Sequence, residues 1–192
     1  MKNRLLILTF LFSMMLVAQE ASEEKLPYYE VPEYSEEFTA GTVAARLVDA
    51  LGFRFYWSSE GLTEKDLDYK PNEDVRSTGE TIDHILDLSY VVVNSTLKQA
   101  NGKLDKSEMT YADKRKQALI NLKTAADILR VSDDISQYKI IFGEREIPFW
   151  NQINGPISDA IWHCGQLASF RRTSGNPINP NVSHFTGTVK NN

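Results

Sequence analysis

From residue 36 onward, apolar side chains recur at helical spacing. Val43, Leu47, Leu51 and Phe55 repeat every fourth residue, with Ala44 and Val48 widening the stripe, which predicts a first helix ending near Ser58 to Gly61. A polar linker with Pro71 follows. Ser77-Thr78-Gly79-Glu80 then has the form of a capping box, opening a second helix through Ile82, Ile85, Leu86, Ser89 and Val93 to about Leu97. Asn101-Gly102 breaks it. A third helix is expected from Thr110 to Arg130, with Ala118, Leu122, Ala125 or Ala126, and Leu129 inward, and Asp113, Lys114, Arg115 and Lys116 on the solvated side.

The segment YKIIFGEREIPFW carries two short apolar pieces around Gly143-Glu144, read as a small hairpin or a packed loop, with Pro148 confining any strand to an edge. Asn154-Gly155-Pro156 starts a last helix that runs to Ser174, with Gly175 as a left-handed stop. The tail NPINPNVSHFTG should be extended and held by Ile178, Val182 and Phe185. Four amphipathic helices with little strand signal predict an all-α chain, an antiparallel four-helix bundle over residues 36–192.

The first residues read differently. Lys2 and Arg4 precede an apolar run from Leu5 to Val17, with small or neutral residues before Glu20, the pattern of a cleaved signal peptide over residues 1–19. The run is shorter than the roughly 20 residues of a membrane span, so the expectation is an exported protein, periplasmic or extracellular, with no stable membrane span after processing. Residues 20–35, acidic and proline-containing, read as an extended surface lead-in. Removing Lys2 and Arg4 leaves the chain two units more negative than its formal −5, and no basic cluster remains to meet phosphates, which argues against a nucleic-acid partner. Cys164 is the single cysteine, so no internal disulfide forms, and a buried apolar role is expected for it. Whether the protein forms a homodimer stays open.

Candidate chemistry sits on two helices. His84 lies on the second; Asp159 and His163, four residues apart, share a face of the last. Two imidazoles and a carboxylate leave positions open on a divalent ion such as Zn²⁺, Fe²⁺, Ni²⁺ or Mn²⁺, which would act as a Lewis acid or lower the pKa of bound water toward about 7. The pair Glu80 and His84 has the same spacing, but Glu80 already has a capping role. Gln166 points near the same face, as a partner of the metal-binding side chains, a substrate contact or a packing hydrogen bond.

The segments LTEKDLDYKPNEDVRSTGETIDHILDL and DAIWHCGQLASFRR resemble the first loop, second helix and last helix of the DinB-like superfamily. The resemblance implies a four-helix bundle holding one divalent metal through three histidines. His84 matches the first ligand and His163 the third; Asp159 stands at the second, and Cys164 replaces an arginine before Gly165-Gln166. A carboxylate at the second position either shifts preference toward harder ions such as Mn²⁺ or Fe²⁺ or marks a site that has lost its metal. The resemblance further implies a metal-dependent hydrolase or thiol-type transferase acting on a small molecule. A non-catalytic bundle that holds a metal or small ligand is the alternative, and no general base is identifiable.

Elsewhere, Arg171 and Arg172 suit the C-terminal end of the last helix, with an anion contact as the other reading. Tyr56, Trp57 and Trp162 read as core rather than pocket lining. His184 in the tail reads as exposed, unless a folded-back tail carries it to the metal.

Overall fold

Ser77 opens α3 (Thr78–Thr96) as its capping box predicts: its Oγ accepts from the Glu80 amide at 3.2 Å, and Glu80 Oε2 accepts from the Ser77 amide at 2.7 Å. Thr39, Thr63 and Thr110 start α1 (Ala40–Ser59), the short α2 (Glu64–Leu67) and α4 (Tyr111–Arg130) with the same reciprocal cap. Each cap satisfies two amides that the first helical turn leaves without partners, and so fixes where the helix begins. The computed structural model describes residues 25–190, and the signal-peptide reading of residues 1–19 lies outside them.

The last helix begins unusually. A single turn, α5 (Trp150–Gln152), runs through a wide π-type turn at Ile153–Ile157 into α6 (Ser158–Ser174). Pro156 has no amide to donate, and Gly155 takes φ −101° and ψ −110°, outside helical values, so the chain bends there without stopping. The sequence placed the helix start at these residues; the structure continues the helical path through them. Gly175, at φ +91°, ends α6 in the left-handed conformation.

The described residues are mostly helical. Four long helices enclose one core, with α1 and α3 each packed against both α4 and α6. Leu51, Phe55, Ile85, Leu86, Leu119, Leu122 and Leu167 are fully buried there. Each such side chain contributes about 1.5–3 kcal/mol by leaving water. The stripe on α1 is rotated from the expected one. Ala44, Ala45, Val48, Leu51 and Phe55 are inside, whereas Val43 and Leu47 are 49% and 36% exposed.

The order of contacts gives the helix directions. Gly41, at the start of α1, lies by the end of α4, and Arg115, near the start of α4, bonds Ser59 and Tyr56 at the end of α1, so α1 and α4 run in opposite senses. Along α3 and α4, Lys114 meets Asp83 at 2.8 Å and Asn121 meets Ser89 at 3.1 Å, so these two run in the same sense. Gln152 reaches the Val91 carbonyl while Asp159 reaches His84, so α3 and α6 are antiparallel. Two of the four neighbouring pairs are therefore parallel, which an all-antiparallel arrangement does not contain. The connection 97–110 allows this, because its residues in extended form can travel the roughly 30 Å length of a 20-residue helix.

That connection is itself held in place. Strands β1 (Ile140–Phe142) and β2 (Arg145–Ile147) pair antiparallel around Gly143, at φ +57°, and Glu144, as the hairpin reading expects. The Asn101 amide donates to the Ile141 carbonyl at 2.8 Å, which docks the hairpin on the crossing segment.

Three further expectations change. Arg115 is 8% exposed rather than solvated, with its Nε donating to Ser59 Oγ and its guanidinium to the Tyr56 carbonyl and Glu60. Among the described residues of the lead-in, one side chain enters the core: Tyr28, at φ +74°, is 4% exposed and covers Gly52, where a Cβ would lie 2.4 Å from its ring, while Tyr34 stays exposed. In the tail Phe185 is fully exposed, and the chain closes on a small pair, β3 (Val182–Ser183) and β4 (Thr188–Val189).

Candidate metal centre

The inward stripe begins at Ile157, the last residue of the wide turn, and continues along α6 through Ala160, Cys164, Leu167 and Arg171, spaced three and four apart and all buried. Asp159, His163 and Gln166 follow one flank of that stripe, and this flank faces α3. On α3, His84 lies beside buried Ile85 and faces α6. Two antiparallel helices thereby bring residues 75 positions apart into contact.

The three sequence-predicted side chains meet. Asp159 Oδ2 is 3.1 Å from His84 Nε2, and Asp159 Oδ1 is 3.4 Å from His163 Nε2. The two imidazole rings stand edge to face with centroids 4.7 Å apart. One ligand atom from each residue lies within 4.8 Å of the others, and this is the group of potential metal-binding side chains found among the described residues.

Gln166 decides the state of His163. Its Oε1 lies 2.6 Å from His163 Nδ1. An amide oxygen accepts and cannot donate, so Nδ1 carries a proton, and in the neutral imidazole this leaves the Nε2 lone pair facing Asp159. A lone pair and a carboxylate oxygen repel each other unless a cation lies between them. Either a second proton or a metal ion supplies it. Metal–donor distances of about 2.0–2.1 Å in a tetrahedral site place donors roughly 3.3 Å apart, which the 3.1 and 3.4 Å separations match. These separations run to the two different oxygens of Asp159, and one donor atom from each of the three residues lies within 4.8 Å of the others, so the cluster could hold a divalent ion.

Exposure leaves a route in. The His84, Asp159 and His163 side chains are 28%, 41% and 11% exposed, so the cluster is sheltered by the helices and open on its outer side. A cavity of about 500 Å³ lies alongside, lined by Asp159, Leu88, Ser158, Trp162 and the wide turn at Asn154 to Pro156. Trp162 is thus a wall of this cavity, 73% exposed, and not core as the sequence suggested. Trp57 is core at 5% exposure and Tyr56 is half-buried. An indole cannot be assigned to core or cavity from helical spacing, because one residue of rotation on α6 separates Trp162 from His163.

His184 does not join the cluster. It sits on the tail with its ring 5.8 Å from that of Phe53 on α1. Cys164 is buried, and burial pushes its thiol up to about 12, so it is inert at neutral pH. Arg171 lies in the last turn of α6, as expected, and does more there than face the helix end. It is 5% exposed, and its guanidinium donates to the carbonyls of Trp57, Ser58 and Glu60, closing the C-terminal end of α1, while Nε donates to the Asn176 carbonyl. Asp66 anchors the same region, accepting from Thr63, Ser174 and Asn176. Its burial opposes ionisation, but those hydrogen bonds outweigh it and hold the carboxyl well below its ordinary value. No residue spacing announced this network.

Compared with known proteins, the chain matches no family model and no curated protein sequence.

Proposed function

We propose that this protein is an exported, DinB-like four-helix bundle that binds one divalent metal ion through His84, Asp159 and His163 and acts on a small molecule in the adjoining cavity. The observation that carries the reading is the carboxylate of Asp159 set between two imidazole nitrogens, with the other nitrogen of His163 bonded to Gln166. A bound ion supplies Lewis acidity at that point. Gln166 orients His163, and α3 and α6 hold the donors on rigid backbone. Trp162 and Leu88 give an apolar surface to a substrate. The reaction class that fits is metal-dependent hydrolysis or a thiol-type transfer.

One observation favours a second reading, a non-catalytic metal- or ligand-binding bundle. Apart from Asp159, which the reading uses as a metal-binding group, the side chains lining the cavity offer no carboxylate, imidazole, amine or thiol to serve as a general acid or base. Elemental analysis of protein purified without chelators tests the shared premise, with one equivalent of metal expected in the wild type and loss in His163→Ala. Wild-type protein that takes up neither Zn²⁺ nor Mn²⁺ would remove the metal from both readings and leave only a ligand-binding bundle. Turnover of a panel of esters and thiol conjugates by metal-loaded protein separates catalysis from binding.

A further inference from the structure

On the far side of α6 from the metal centre, α1, α6 and the tail enclose a cavity of about 590 Å³. The size lies within the roughly 300–1,000 Å³ of small-molecule sites. Its walls combine half-buried Ile161, Ile178 and Val182 with three basic side chains, Arg54, Arg172 and His184, and none of its lining residues is acidic. In a chain with 26 acidic and 21 basic residues this is a local reversal of charge. Among the described residues neither arginine has a carboxylate partner, and Arg54 donates to the Ala50 carbonyl of its own helix.

The tail wall is built, not loosely draped. At one end Asn176 donates to the Gly61 carbonyl at 3.0 Å and to Asp66 at 2.9 Å. At the other, the Val31 amide donates to the Gly187 carbonyl at 2.8 Å, and Gly187, at φ +75°, lies so close to Val31 that a Cβ would approach it to 2.4 Å. Between these anchors His184 packs edge-on against buried Phe53. Partial burial, then the charges of Arg54 and Arg172, pushes the His184 imidazole below its ordinary value. The three groups therefore sense one another across the cavity without a counter-charge from the protein.

We propose that this cavity binds a small organic anion with an apolar body, its carboxylate held by Arg54 and Arg172 and its hydrocarbon against Ile161, Ile178 and Val182. Guanidinium groups match a carboxylate with paired donors, and unneutralised arginines beside apolar walls favour a ligand that is charged at one end. The site is separate from the metal centre and does not depend on it.

Isothermal titration of the full chain with octanoate, 1-octanol and inorganic phosphate tests the assignment. Octanoate should bind saturably and at least tenfold more tightly than either of the others. Arg172→Gln, an exposed change that leaves the core intact, and Arg54→Gln should each weaken octanoate at least tenfold, while His84→Ala leaves it unchanged. The His184 imidazole resonances should move on titration and those of His84 and His163 should not. Absence of saturable binding, equal binding of 1-octanol or phosphate, or indifference to both arginine substitutions would overturn the proposal.

Discussion

Asp159 has the least redundant position among the residues of the candidate centre, because it faces both imidazoles at once. A histidine there would make the donor set three neutral nitrogens and remove the negative charge that suits harder ions. Asp159→His should therefore raise the ratio of Zn²⁺ to Mn²⁺ affinity by at least tenfold in competitive titration, and an unchanged ratio would remove the carboxylate from the metal's coordination sphere. Gln166 acts one step further out. It fixes the proton on His163 Nδ1, so Gln166→Ala should weaken metal binding about 10–100-fold while leaving thermal stability without metal nearly unchanged. His184→Ala, on the tail, should leave metal binding unchanged. Asp159 and His163 were legible as a pair because a four-residue step on a helix is a geometric statement, whereas His84, 75 positions from Asp159, joins them only if the two helices pack together. Gln166 was legible as a neighbour but not as the determinant of a tautomer, which requires knowing which atom it presents.

Among the elements, the starts of α3 and α4 were readable, whereas the short α2 inside the expected linker and the continuous entry into α6 were not, and the surfaces between elements were less so. Ser77 and Glu80 announce α3 because a cap is local chemistry. Tyr28 could not be read as core, since its burial depends on a bare surface at Gly52 that lies on another element. This contact gives a signed prediction. Glycine inside a helix ordinarily costs about 0.5–1 kcal/mol relative to alanine, yet Gly52→Ala should destabilise, because the added carbon meets the Tyr28 ring. In the Tyr28→Ala background the same change should become neutral or stabilising, a sign reversal that denaturant unfolding can measure. Asp66 makes the other element-level case. Its carboxylate sits below its ordinary range when folded and near 3.9 when unfolded, so its contribution is complete above about pH 5 and is lost as pH falls through the folded value. Asp66→Asn should cost about 1–3 kcal/mol at pH 7, and the gap to wild type should close as the pH is lowered toward 2. A gap that widens in acid would reverse the assignment.

At the scale of the whole molecule, the direction of the helices decides what a metal can do. Amphipathic stripes show how many helices share a core but not which run together. Here the crossing segment 97–110, pinned by the β1–β2 hairpin at Ile141, returns the chain so that α4 runs in the sense of α3. Consequently α6 meets α3 in the opposite sense, and His84 and His163 join a helix from the first half of the chain to the last one. An ion bound by both, and not by the unfolded chain, stabilises the entire domain in proportion to its saturation. At one hundred times the dissociation constant this is about 2.7 kcal/mol. For a domain of this size each kcal/mol raises Tm by about 2–4 °C, so the expected shift is about 5–11 °C. Scanning calorimetry with and without Zn²⁺ or Mn²⁺ measures it directly. Because the ion links two helices, His84→Ala and His163→Ala should each abolish most of the shift, although they lie on different elements. A variant pair in which one substitution removes it and the other leaves it intact would mean that the ion sits on a single helix, and the cross-helix site would have to be abandoned.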